Sequence, residues 1–234
     1  MHHHQNSQFI HHKKNINTAL IREAVFGMED GMVSTFGAVT GIAAATANPF
    51  TVILSGSILI AVESISMAVG SYLSSKSEKA IDDRKIAEET LEIKQFPEEE
   101  KKELVGMFVV DGWPKKFAIE MAEVASKNKK ILLKEMAYRE LKVFPDHQES
   151  PLKNALVMGL SYIVGGLIPL IPYFLFVLPY SLYFSLPVTL IGLFSLGALT
   201  TRYSKRPWWR VGFEMLILGA VAALVGYFVG QAIK

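Results

Sequence analysis

Asp30, Glu63 and Met67 are the residues whose types and positions most clearly ask for a chemical explanation. Each stands in a stretch that is mostly apolar, and Met67 follows Glu63 at i+4, so a carboxylate and a thioether share one helical face a turn apart. Divalent iron, of intermediate softness, accepts such a mixed oxygen and sulfur set, whereas magnesium would want oxygen ligands and water. Carboxylates in this setting can also carry protons. A structural use competes with each reading: a protonated Glu63 bonded to a neighbouring helix, and Met67 as packing. Glu29, beside Asp30, reads equally well as an interfacial residue.

A second constellation is acidic. Glu89 and Glu92 are three residues apart on one helical face, and Glu100 and Glu103 repeat that spacing just after Pro97. A helix, a turn and a helix would fold the pairs together, and four converging carboxylates repel one another unless cations neutralise them. Met136 and Glu140, at i,i+4, could complete such a site with a softer ligand. From spacing alone a solvated acidic face is the commoner explanation, because the segment is rich in both Glu and Lys.

The elements that must carry these residues follow from how charge is distributed. The chain has 234 residues, half of them hydrophobic, with 24 basic and 22 acidic side chains. From Lys76 to Lys153 there are 17 acidic and 16 basic residues, whereas residues 154–201 contain no Asp, Glu, Lys, Arg or His. A net charge of +2, dispersed along the chain, offers no basic face for nucleic acid. Cysteine is absent, which excludes thiolate metal sites and cysteine nucleophiles. Spanning the hydrocarbon core takes about 20 apolar helical residues. Five segments qualify: Ala24 to Ala47, Thr51 to Leu73, Ala155 to Pro179, Tyr183 to Thr201 and Val211 to Ile233. Asp30 then lies about 9 Å inside the first span by helical rise. Glu63 falls near the middle of the second, where a charge costs about 3 kcal/mol.

Lys13, Lys14, Arg22, Lys76, Lys79, Lys153, Arg202, Lys205, Arg206 and Arg210 flank the spans on one side, which the positive-inside rule makes cytoplasmic. The expected fold is all-α: a cytoplasmic tail (1–22), two spans (23–75), a cytoplasmic Glu-rich domain (76–153) and three more spans (154–234). Pro97, Gly112 with Pro114, and Pro145 divide the inserted domain into three expected helices, the first continuing the second span. Glycine pairs at 27 and 31, 37 and 41, and 226 and 230 suit close helix packing. The tail histidines (His2, His3, His4, His11, His12) read more simply as a polar tract than as a metal site.

The run from Arg22 to Gly37, REAVFGMEDGMVSTFG, resembles the first-helix signature of the vacuolar iron transporter family. Residues 64–78 and the Gly165–Tyr173 run, GGLIPLIPY, are similar to further family motifs, so the resemblance covers residues 21–233. It implies a homodimer of five-span subunits exchanging protons for cytoplasmic ferrous iron, with manganese, cobalt and zinc as alternative cargo, no organic cofactor and no nucleic-acid partner. Asp30 matches the family's first-helix aspartate and Met67 its second-helix methionine, both on a path at the dimer interface. The plant-type second-helix glutamate falls on Leu59, one turn before Glu63. The family's cytoplasmic ligand pattern falls on Glu89, Glu92, Glu100, Glu103, Met136 and Glu140, with Ala137 where a second methionine is expected.

What the resemblance implies is transport rather than an enzymatic reaction, across a plasma membrane in a bacterium or a vacuolar-type membrane in a eukaryote. Two rival readings are a membrane-anchored carboxylate di-iron oxidase and a metal sensor. Di-iron sites typically include Glu-x-x-His pairs, of which this chain has none; His147 is its sole histidine outside the tail. A sensor leaves Asp30 and Glu63 unexplained.

Overall fold

The computed structural model describes residues 18–143, 150–204 and 206–233; the tail histidines and His147 lie outside them. Eight helices form in order: α1 (Thr18–Thr46), α2 (Pro49–Gln95), α3 (Pro97–Val110), α4 (Lys115–Ser126), α5 (Lys129–Arg139), α6 (Pro151–Leu175), α7 (Tyr180–Ser204) and α8 (Trp208–Ile233). The described residues contain no strand. They form two compact units, one built from residues up to Ser71 and from Leu152 onward, the other from Tyr72–Pro151.

In the first unit the chain reverses between α1 and α2 through Ala47, whose φ is 50°, and Asn48. Asn48 Oδ1 accepts from the backbone N–H groups of Phe50 (3.0 Å) and Thr51 (3.3 Å), which would otherwise be orphaned at the helix start. Pro49 occupies the first helical position, where its missing N–H costs nothing. Four helices, α2, α6, α7 and α8, are long and apolar enough to cross a membrane, and large apolar side chains such as Leu160, Ile191, Leu218 and Phe228 lie exposed on them. The fully hydrogen-bonded backbone of a helix is what makes such a face tolerable in lipid. The chain is an integral membrane protein on these spans. α1 is not among the four; its 29 residues include Arg22, Glu23, Glu29 and Asp30.

Small residues let these helices meet backbone to backbone. A Cβ on Gly27 would lie 2.5 Å from the Met158 carbonyl oxygen, and one on Gly31 would overlap that of Tyr162, so α1 runs directly against α6. Further along α1, a Cβ on Gly41 would lie 2.6 Å from the Gly226 carbonyl of α8. The spaced glycines therefore do the packing work expected of them.

The second unit begins with the continuation of α2 and adds α3, α4 and α5 around Ile93, Leu104, Phe108, Ala118, Ala122, Leu132 and Met136. The expected three helices are thus four helical segments. The additional break falls at Asn128, whose extended backbone and side chain, accepting from Lys130 N at 3.0 Å, start a new helix. The spans also differ at their ends. α6 stops at Leu175 rather than Pro179, and α8 begins at Trp208, immediately after Pro207.

Candidate metal path and acidic cluster

Asp30, Glu63 and Met67 are each partly buried in the first unit. Gly27 and Gly31 pin the turn of α1 carrying Asp30 against α6, which brings Tyr162 beside it. Ser34 Oγ donates to the Asp30 carbonyl oxygen at 2.7 Å, so its single proton is committed, and Tyr162 Oη, 2.7 Å away, must donate to Ser34. Tyr162 has no solvent exposure. The carboxylates of Asp30 and Glu63 and the Tyr162 phenol lie within one another's electrostatic reach. Carboxylate, hydroxyl and thioether, the groups that Asp30, Glu63, Tyr162 and Met67 carry, are donor types that divalent iron accepts.

Glu23 is a further buried acid, absent from the residues singled out by sequence. Its Oε2 accepts from Ser71 Oγ of α2 at 2.7 Å and its Oε1 pairs with Arg22 at 3.1 Å. Its position seven residues before Asp30, on the same helical face, was the available signal. Tyr162 offered a weaker one: a phenol inside a charge-free stretch must find a partner when buried.

In the second unit, α2 and α3 fold back on each other across Phe96 and Pro97, and Glu89 and Glu100 are both buried. Glu140, the residue closing α5, stands beside them at the exposed edge, where Glu92 and Glu103 also lie. Glu89 stands close enough to Glu100 and Glu140 to share a proton with either. Burial first, and then the charges of Glu140 and Glu100, push the Glu89 carboxyl up to about 8. Burial likewise raises Glu100 and Glu140, reinforced for both by the charge of Glu103. Glu89 Oε1 and Glu100 Oε2 are buried without a hydrogen-bond partner.

These acids are gathered but not arranged as a finished cage. Among the described residues no group of three or more acidic or His side chains is set to hold a metal ion as it stands. Neighbouring carboxylates relieve their mutual repulsion by keeping protons, the direction in which Glu89, Glu100 and Glu140 are all shifted. Met136 is fully buried in the apolar core one turn before Glu140. Ala137, in the second methionine position, is equally buried, and Glu135 is paired instead with Arg139 at 3.1 Å.

The VIT family profile matches residues 21–231. Vacuolar iron transporter 1 of Arabidopsis thaliana is 28% identical over 229 residues, covering 96% of this chain and 91% of that protein. Vacuolar iron transporter 1 of Oryza sativa subsp. japonica is 27% identical over 234 residues, covering 100% and 90%. The vacuolar iron transporter of Toxoplasma gondii is 28% identical over 236 residues, covering 95% and 78%. The family and these relatives are transporters, not enzymes, which removes the oxidase reading. A match spanning both units and every candidate residue shows that this chain belongs to the VIT family.

Proposed function

We propose that the protein exchanges protons for divalent iron, with manganese as a second cargo, and moves the metal out of the cytoplasm. α1 serves as a fifth span, its acids lining a path rather than facing lipid, and two copies pair so that Asp30, Glu63 and Met67 border a route between them. The second unit is cytoplasmic. Its Glu89, Glu92, Glu100, Glu103 and Glu140, with Met136 beneath them, collect the ion before it reaches the path.

The observation that carries this reading is the placement of Asp30 and Glu63 within electrostatic reach of each other on helices of a membrane unit. Two neighbouring carboxylates removed from bulk water hold protons or a dication far more readily than two negative charges. Binding the metal displaces protons, and losing it recovers them, so alternating access would couple the two flows. The iron transporters of plants and of Toxoplasma gondii to which the chain is similar support the choice of cargo.

Ferrous-ion flux into proteoliposomes, followed with a metal-quenched dye and a pH dye inside, tests the proposal directly. Iron entry with opposite proton movement is the expected result. Correctly oriented protein that binds iron and moves none under either gradient would leave the sensor reading in place.

A further inference from the structure

Four of the six buried side-chain polar atoms that lack a hydrogen-bond partner among the described residues are hydroxyls of the membrane unit: Thr35, Thr40, Tyr173 and Ser181. Three of them, with their neighbours, trace a file. It starts at the Tyr162 phenol, hydrogen-bonded to Ser34 and within electrostatic reach of Asp30 and Glu63. Thr35 Oγ1 is buried beside the same phenol, and the absence of a side chain on Gly166, where a Cβ would come within 2.9 Å, keeps that hydroxyl clear. One turn on, Ser185 Oγ of α7 donates to the Pro169 carbonyl at 2.7 Å, and Thr189 Oγ1 donates to the Ser185 carbonyl at 2.7 Å. The Tyr173 phenol lies beside Ser185, and Ser181, one turn before Ser185, has no solvent exposure.

The backbone adds acceptors along the same course. Pro169 and Pro172 inside α6 deprive the Gly165 and Ile168 carbonyls of their helical donors, as Pro187 does the Tyr183 carbonyl in α7. The Tyr173 ring is packed among Val39, Val52, Ile60 and Leu170, and residues 31–62 and 154–201, which supply the file and these neighbours, contain no Asp, Glu, Lys, Arg or His. From Tyr162 to Tyr173 the file rises about 16 Å along α6. It leads toward the end of the bundle where α1 turns into α2 and α6 into α7. Tyr162 bonds Ser34 directly and Tyr173 stands within hydrogen-bond reach of Ser185, so waters are needed only to join one such pair to the next, and buried polar groups in an apolar surround recruit them.

We propose that this file is a proton route inside each subunit, separate from the metal path and linking the Asp30 and Glu63 carboxyls to the bundle end bearing the α1–α2 and α6–α7 turns. A proton accepted at one end displaces another at the far end, each hydroxyl and water giving one proton as it takes one once Ser34 and Ser185 turn theirs from the Asp30 and Pro169 carbonyls into the file, so no group changes its net charge. A cation has no counter-charge along the file to replace its water shell, and the route therefore passes protons and excludes metal. The inference rests on the proton-coupled reading of the preceding section.

The test uses the full chain in proteoliposomes with metal and pH dyes, comparing wild type, the Tyr173→Phe/Ser185→Ala double variant, and Tyr173→Phe/Ser185→Thr. The first variant should lose about tenfold or more of the proton movement that accompanies ferrous-ion entry, the size of a positioned proton-transfer contribution. Its iron binding in detergent should be unchanged, and Ser185→Thr, which restores a hydroxyl, should recover much of the rate. Wild-type proton and metal rates in the double variant would overturn the route while leaving exchange intact. Iron entry without protons in the wild type would overturn both, and would locate the failure in the coupling itself. Radiolytic water labelling of the wild-type protein gives a reading independent of any variant: oxidation at Tyr173 well above that at equally buried Phe36 is expected, and equal protection of both would sink the file.

Discussion

The two groups of acids solve the same electrostatic problem in opposite ways. In the membrane unit, the carboxylates of Asp30 and Glu63 are few and partly buried, and the backbone next to Asp30 is fixed by glycine contacts to α6 and by the Ser34 and Tyr162 hydrogen bonds. In the Glu-rich unit, five carboxylates crowd one helix junction, and the two most buried keep oxygens without partners. The first arrangement is preorganised and sparse, suited to a brief stop. The second is concentrated and held near neutrality by protons, suited to capturing a cation whose charge replaces them. On the proposed function, affinity and throughput would fall to different parts of one chain.

Removing a carboxylate from the sparse group should produce the largest effect, since nothing stands in for it. Asp30→Ala should lower metal flux by about a hundredfold, with iron binding to the Glu-rich unit intact; liposome flux beside calorimetric titration would show both, and wild-type flux would break the contrast. In the crowded group, Glu89→Gln should weaken ferrous-ion binding by about tenfold while flux at saturating iron falls far less. Equal losses in the two assays would mean that capture and passage are one event.

Proton content sharpens the comparison further. With the Glu89 carboxyl raised from 4.5 to about 8, the folded unit holds a proton over that interval that the unfolded chain has released. The associated stability is complete below pH 4.5 and is lost as pH rises through 8. Hydrogen exchange of the metal-free protein should therefore show easier opening of residues 72–143 at pH 8.5 than at pH 6. Anaerobic iron binding should strengthen over the same rise, releasing about one proton per ion at neutral pH. The smallest effect is expected at Met136→Leu, a volume-conserving change costing less than about 1.5 kcal/mol of stability. A fall of only a few-fold in ferrous-ion affinity should accompany it.

Much of this architecture was legible because helices punctuate themselves. Pro97 and the Gly112–Pro114 pair mark real ends, and the charge-free stretch after Asn154 holds α6 and most of α7. The break at Asn128 was missed because a lone Asn among lysines reads as surface until its capping bond is seen. Spacing around Pro97 indicated that glutamates converge, but not that Glu89 and Glu100 are buried while Glu92 and Glu103 stay exposed, since that depends on where α5 packs. The partner of Tyr162 was hidden for the same kind of reason. The pairing with Ser34 joins residues 128 positions apart, and no periodicity within one helix reports on its neighbour.

The glycine contacts between α1 and α8 also bear on which sequences this seam can hold. Gly37 and Gly41 rest against a turn of α8 that includes Gly226 and Gly230, and a Cβ on any of the four would come within 3.1 Å of a backbone carbonyl oxygen of the facing helix. No change of rotamer relieves an overlap with main chain, so even an alanine at these positions must push the two helices apart. Whoever copies or redesigns this seam inherits four positions at which the smallest side chain is already too large.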